Sequence, residues 1–406
     1  MTSELQYIDF YREAGSIIRQ RSSKVMNACR DEAFQAFSAN GFPSKKQERY
    51  KYTDVAADFS INYGVGLTPI REALPAYCYS IAQGTPIDVA PYYNAIADRQ
   101  DPVVALNTAL TVDALLVYVP RNERPEHPIQ ISNTLKGEQD TMVNRRLLII
   151  LEEGAQADII ITDRAVDQSH FLTNQVIEVF AGAGSHLNLF EVEETHLLCT
   201  RYSSLFIQQG RYSNVHHNNI TLFNGHTRNR CDVVLSGEYA EVTLNGSVIA
   251  DKMQRVDNNT VIRHDVPHCQ SNQLYKYILD DNAVGAFAGL VYVKEGAQKT
   301  SSAMTNANLC ATRSARMYTQ PMLEIYADDV KCSHGSTVGQ LNEQAMFYMR
   351  QRGISEQEAR LLLKAAFITE VIETIPLESL RDRLHVLVDK RLRGELSKCE
   401  GCKLCK

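Results

Sequence analysis

Four apolar runs, each closing on a glycine, recur through the middle of this chain at a nearly constant spacing. They read Leu148-Ile-Ile-Leu-Glu-Glu-Gly154, Val176-Ile-Glu-Val-Phe-Ala-Gly182, Leu205-Phe-Ile-Gln-Gln-Gly210 and Val233-Val-Leu-Ser-Gly237, and the glycines stand 28, 28 and 27 apart in the numbering. A fixed period in this range marks stacked copies of one supersecondary unit. The runs are short and rich in β-branched residues, and the glycines suit tight corners, so the unit is built of strands. Each glycine leads into a second, alternating run, as in Ser185-His-Leu-Asn-Leu-Phe190 and Ala240-Glu-Val-Thr-Leu-Asn245. Strand, corner, strand and return make one coil of a parallel β-solenoid, with the four glycines expected in one column. The period continues loosely at Gly296 and Asp328. Such a rod is a scaffold first, which biases the functional question toward assembly.

At 406 residues the chain exceeds a typical single core. Its net charge of −6 argues against nucleic acid, which requires a basic face. No run approaches the length of a membrane span, and the first residues lack the basic and apolar regions of a signal peptide. Ten cysteines in such a chain read as thiols or metal ligands rather than a disulfide framework, so a reducing, cytoplasmic setting is expected.

Four regions follow from patterning. Residues 1–113 are mainly helical, with Ile8, Tyr11, Ile17, Ile18, Val25, Ala28, Phe34 and Phe37 on core-facing stripes and Gly41-Phe-Pro43 as a stop. Residues 114–339 form the β-helix. Residues 340–398 are a module of three helices, in which Gly353 ends the first and Ser355-Glu-Gln-Glu358 is a capping box for the second. Pro376 suits the first turn of the third. Residues 399–406 are a cysteine-containing tail.

Two stretches carry more than periodicity. One runs from Arg255-Val-Asp-Asn-Asn-Thr260 through Asp280 and Gly285-Ala-Phe-Ala-Gly289 to Gly296-Ala-Gln-Lys-Thr300. The other is Leu323-Glu-Ile-Tyr-Ala-Asp-Asp-Val-Lys-Cys-Ser-His-Gly-Ser-Thr-Val-Gly-Gln-Leu341, followed by Phe347-Tyr-Met-Arg-Gln-Arg-Gly-Ile354. Together they resemble the SufB/SufD family of iron–sulfur cluster assembly proteins, the second stretch its SufD branch. Gly41-Phe-Pro-Ser-Lys-Lys-Gln-Glu-Arg-Tyr-Lys-Tyr-Thr53 resembles the family's N-terminal segment, with Tyr50 where a Trp is usual. The resemblance implies a mainly β fold: a right-handed parallel β-helix flanked by α-helical N- and C-terminal regions. It also implies a non-enzymatic scaffold that pairs edge to edge with a SufB-like subunit, docks a SufC-like ATPase through its C-terminal helices, and forms a homodimer when isolated. The iron–sulfur cluster is then transient and shared with the partner, with none expected in the isolated chain. A reduced flavin is associated with the family's complex, and whether this chain helps bind it stays open.

In Lys331-Cys-Ser-His-Gly335, Cys332 and His334 sit at i and i+2, which places them on one face of a strand. Thiolate plus imidazole suits iron or zinc, but two ligands cannot close a tetrahedral site. The remainder must come from another chain; by resemblance, His334 matches the histidine that SufD-type subunits bring to the interface. The bland reading, a packed Cys and a satisfied His, weighs equally for Cys332. Thr319-Gln-Pro321 stands where the SufB paralogue has a cysteine after Thr-Gln, so this chain is not expected to be the main cluster-bearing subunit. Cys399, Cys402 and Cys405 make a C-x2-C-x2-C array one ligand short of a ferredoxin-type loop. Phe367, Val371, Leu380 and Leu384, on the apolar stripes of the last two helices, are the expected ATPase-docking residues.

His264 and His268-Cys269 read as packing near a corner, the adjacent His216-His217 face opposite ways, and Asp328-Asp329 read as a polar turn. No Walker A, G-x-S-x-G or phosphate loop is present, so ATP hydrolysis must come from a partner. Two rivals remain: a β-helix carbohydrate-active enzyme, weakened by the absence of Trp, and a metal-delivery protein using the cysteine tail.

Overall fold

The computed structural model describes residues 3–67, 70 and 74–396. Its centre is a parallel β-solenoid of eight two-stranded coils. One sheet, here called the first, stacks Leu115–Val119, Thr141–Leu151, Phe171–Ala181, Cys199–Gln209, His226–Leu235, Arg255–His264, Val284–Val293 and Arg316–Ile325. The second stacks Ile129–Leu135, Gln156–Ala165, His186–Glu194, Asn214–Phe223, Glu241–Ala250, Gln270–Leu279, Ser301–Cys310 and Lys331–Gly339. Two short strands of the N-terminal region join the first sheet: Cys78–Ser80, antiparallel to Leu115–Val117, and Gly64–Gly66, parallel to Thr141–Val143.

Register shows that the coils are less uniform than the glycines suggest. Val119, Leu151, Ala181, Gln209, Leu235, His264, Val293 and Ile325 are equivalent strand ends, so the step from coil to coil runs 32, 30, 28, 26, 29, 29 and 32 in the numbering. Gly182 and Gly210 directly follow their strand ends and stack. Gly237 joins them one residue late, because Ser236 and Gly237 both donate to the Gln209 carbonyl, at 3.1 and 3.0 Å. A Cβ on Gly237 would lie 2.0 Å from the Arg211 nitrogen, so close backbone approach is what requires glycine here. Gly154 departs from the expected column. It lies three residues past Leu151, where its left-handed φ of 70° matches Gly184 and Gly296 (63° and 84°) at the equivalent place in their coils. The even interval from Gly154 to Gly182 thus joins two kinds of corner glycine, one kept for sterics and one for φ.

The lumen divides lengthwise. One half is apolar, packed by residues such as Val119, Ile149, Val179, Leu189, Ile207, Val233 and Leu244. The other carries buried polar side chains at the same inward positions, among them Asp163, Glu191, Glu193, Arg201, His217, Asn229 and Asn258.

The helical regions cover the outer faces. N-terminal helices Ser3–Arg21, Arg30–Asn40 and Pro102–Leu110 pack over the early coils of the first sheet; Met142, Leu172 and Tyr202 join their core. Leu148 and Ile150 are covered on their outer face by Met26, Ile81, Val89 and Tyr93, so Leu147 through Leu151 are buried on both sides and that strand reads as an unbroken apolar run. Fully buried Arg30 donates to the carbonyls of Ala109 (2.6 Å) and Thr111 (3.0 Å), a cation set on the C-terminal end of Pro102–Leu110. Ile17 is 45% exposed, off the helical stripe predicted for it.

At the other end, Glu343–Gln351, Glu356–Ile372 and Glu378–Leu392 follow the solenoid. Ser355 caps the second as its sequence predicts, its hydroxyl accepting from the Glu358 amide at 3.2 Å. Gly353 is left-handed, with φ at 85°. Pro376 lies just ahead of the third helix, whose N-cap is Leu377. The last two helices pack on the outer face of the second sheet, against Ile220, Leu222, Ile249 and Ile278. Buried Arg391 locks them down through Leu222 O (2.6 Å), Asp251 (2.7 Å) and Gln254 (2.8 Å).

Candidate functional site

Among the described residues the solenoid ends without a capping strand. Arg316–Ile325 and Lys331–Gly339 each pair with a neighbouring strand on one side only. In the preceding strand the lumen-facing Ser302, Met304, Asn306 and Asn308 are buried. Their ladder partners, Cys332, His334, Ser336 and Val338, occupy the same inward positions with no described strand stacked above them. Cys332 and Ser336 are half-buried, while His334 and Val338 are exposed. Cys332 and His334 therefore share one face, as their spacing predicts, and that face is the open mouth of the lumen.

Thr319 Oγ1 ties the two terminal strands together, 2.7 Å from Ser336 Oγ and 2.8 Å from Asn306 Oδ1. Pro321 sits in an edge strand, where a missing N–H costs least. Burial raises the Cys332 thiol above its ordinary value, a backbone contact at Ser302 partly offsetting it. Around the mouth lie exposed Tyr318, Ile325, Tyr326 and Val338, an apolar rim on an unpaired edge. The N-terminal segment reaches this rim: Tyr52 stacks on Tyr318 at 4.9 Å, and Gln320 donates to Glu48 at 2.8 Å. Among the described residues no three His, Cys, Asp or Glu side chains cluster closely enough to hold a metal ion. The mouth offers two donors and two free strand edges.

The C-terminal docking residues need correction. Leu380 and Leu384 are buried, at 4% and 0% exposure, in the core between the helices and the second sheet, and Val371 is buried at 1%. Phe367 is half-buried beneath Lys276, whose Nζ lies 4.5 Å from the ring. A helix laid on a sheet spends its apolar stripe on that sheet, so Val371, Leu380 and Leu384 are unavailable to a partner. The free apolar surface is elsewhere. Glu343–Gln351 buries none of its residues, and Phe347 (63%), Tyr348 (54%) and neighbouring Leu362 (41%) are exposed. The array Cys399, Cys402, Cys405 lies outside the described residues.

The remaining histidines fall as strand geometry requires. His217 points into the lumen and His216 outward against Asn245, 3.0 Å away. His264 is buried with Nε2 2.9 Å from Ser271 Oγ, and burial pulls its pKa down to about 4. Asp329 pairs with Lys299 at a corner.

Inside the lumen, Arg145, Asp163, Arg201 and Glu191 form a line of alternating charge that ends on His217. Burial alone would raise the carboxyls of Asp163 and Glu191, but the guanidiniums of Arg145 and Arg201 overcome it and hold both at about 2. Glu193 is different. Burial, reinforced by the Asp163 charge, pushes it up to about 7 despite Arg201 and the hydroxyls of Thr221 (3.1 Å) and Thr227 (2.8 Å). Sequence reasoning missed this network. Its signal was present: polar residues at 191, 193, 201 and 217 in phase with the inward apolar positions.

No described helix is long and apolar enough to cross a membrane. The family profile "SUF system FeS cluster assembly, SufBD core domain" matches residues 133–367, and "SufBD protein N-terminal region" matches 1–80 and 78–131. The chain is 28% identical to the iron–sulfur cluster assembly protein SufD of Escherichia coli, over 89% of this chain and 92% of that one. It is 32% identical to an iron–sulfur cluster assembly SufBD family protein of Synechocystis, over 75% of this chain and 69% of that one. It is 22% identical to Bacillus subtilis SufD, over 72% and 67% respectively. The parallel solenoid, its two flanking helical regions and profile matches along most of the length agree: this chain belongs to the SufB/SufD family of iron–sulfur cluster assembly proteins.

Proposed function

We propose that the chain is a non-enzymatic, SufD-type scaffold subunit of a cytoplasmic iron–sulfur cluster assembly complex, contributing half of a cluster-forming site. The observation that carries this reading is the uncapped terminal coil, where His334 and Cys332 line the open lumen mouth between two unpaired strand edges. Two donors cannot complete a metal site, and two free edges accept strands from another subunit by ordinary ladder pairing. A SufB-like subunit seated there would extend both sheets and bring its own ligands to the pair. Without it, a second copy of this chain would cover the same edges, giving a homodimer. The cluster is cargo formed between subunits. Exposed Phe347, Tyr348 and Leu362 replace the buried Val371, Leu380 and Leu384 as the face offered to a SufC-like ATPase.

His334→Ala tests this. The fold should survive, because an exposed edge imidazole contributes little stability. Cluster assembly by the reconstituted complex should fall sharply while the subunits still associate, with a weaker effect for Cys332→Ala. Normal assembly by the His334→Ala complex refutes the role given to His334.

A further inference from the structure

Midway along the solenoid the polar half of the lumen encloses a small chamber. Inward-facing Glu191, Ser203, His217, Asn229, Cys231 and Thr260 surround it, so it belongs to the interior and is remote from the open mouth. About 10 Å³ is open to the centre of a water-sized sphere, close to the minimum that one water occupies. Its chemistry is unbalanced at one wall. His217 is 2% exposed, and its Nε2 lies 3.1 Å from Glu191 Oε1. Because Arg201 keeps Glu191 ionised, that carboxylate can only accept, so Nε2 carries the hydrogen. The ring's Nδ1 is buried and has no partner among the described residues. Neutral, it needs a donor; protonated, it needs an acceptor. Gln273 stands behind the same wall: its Oε1 accepts from chamber-lining Thr260 at 2.7 Å, while its Nε2 also lacks a partner among the described residues.

We propose that this chamber is a binding site for one internal water molecule, held by His217 Nδ1 and by the hydroxyls that line it. Water is the one common ligand of this size that both donates and accepts, so it satisfies Nδ1 in either state of the ring. Ser203 supplies a further contact, since its oxygen already accepts from Gln175 at 3.1 Å and its own hydrogen is free to turn inward. The bound water ends the line Arg145, Asp163, Arg201, Glu191, His217 on a hydrogen bond. It also places a polar neighbour beside Cys231, whose thiol burial keeps protonated. This water site does not depend on how the chain assembles with partners.

A high-resolution crystal structure of the full chain tests it. One isolated density peak about 3 Å from His217 Nδ1 is expected; a chamber without density, or a ring turned so that Nδ1 bonds protein, overturns it. In solution, long-range ¹H–¹⁵N spectra should find His217 protonated at Nε2 with Nδ1 hydrogen-bonded; a free Nδ1 resonance counts against the water.

Discussion

Replacing Glu193 with Gln isolates one buried charge within a molecule that holds many. In the folded chain this carboxyl titrates at about 7 rather than near its ordinary 4.5, burial being the main cause. The native state therefore binds more protons than the unfolded state between those two values, and Glu193's contribution to stability falls as pH rises through that window. At about 1.4 kcal/mol per tenfold change in ionisation constant, the full loss is ~3 kcal/mol, of which about 2.5 kcal/mol falls between pH 5 and pH 8. Other groups titrate nearby with opposite sign. His216 and His264, both pulled by burial down to about 4, make the fold more stable as pH rises from 4 toward 6.5. Wild type alone would hide the effect, but the difference between wild type and Glu193→Gln cancels the histidines. Gln keeps an oxygen for the Thr221 and Thr227 hydroxyls and matches the protonated acid in shape and charge. Urea unfolding followed by far-UV circular dichroism at pH 5 and pH 8 measures that difference. The variant should gain about 2.5 kcal/mol on wild type between the two pH values. A difference that stays constant with pH, or moves the other way, would refute the reasoning.

Other expected outcomes follow from packing. Gly237→Ala drives a Cβ into the backbone of Arg211 and Gly210 and should cost ~2 kcal/mol or more in denaturant midpoint analysis. Gly184→Ala, with open space around its left-handed backbone, should cost only ~1 kcal/mol; equal costs would sink the distinction between the two corners. Leu384→Ala should cost ~2–5 kcal/mol through cavity formation. Phe347→Ala and Tyr348→Ala should leave the melting temperature nearly unchanged yet weaken ATPase capture in a pull-down. Arg146→Ala strands buried Glu178 with three backbone donors but no cation, and should destabilise by ~3 kcal/mol; an unchanged melting temperature would contradict this.

The chain's local chemistry announces its strands, corners, helix caps and the shared face of Cys332 and His334, because those depend on periods of two or 3.6 and on neighbours a few residues away. The Ser355 cap and the opposed directions of His216 and His217 are of this kind. Gly154 falls outside its expected column because coil length varies, from a step of 26 between Gln209 and Leu235 to one of 32 between Val293 and Ile325. Only strand register reveals which corner a glycine occupies. Leu380 and Leu384 carry an apolar stripe that patterning can find, but whether a stripe faces its own sheet or a partner is set by what packs on it, here Ile249 and Ile278. The alternation of Glu191, Glu193, Arg201 and His217 lies in the sequence. That Arg201 meets Asp163 and Glu191 while Glu193 stays short of charge is decided across coils, by stacking register and the low dielectric of a closed lumen.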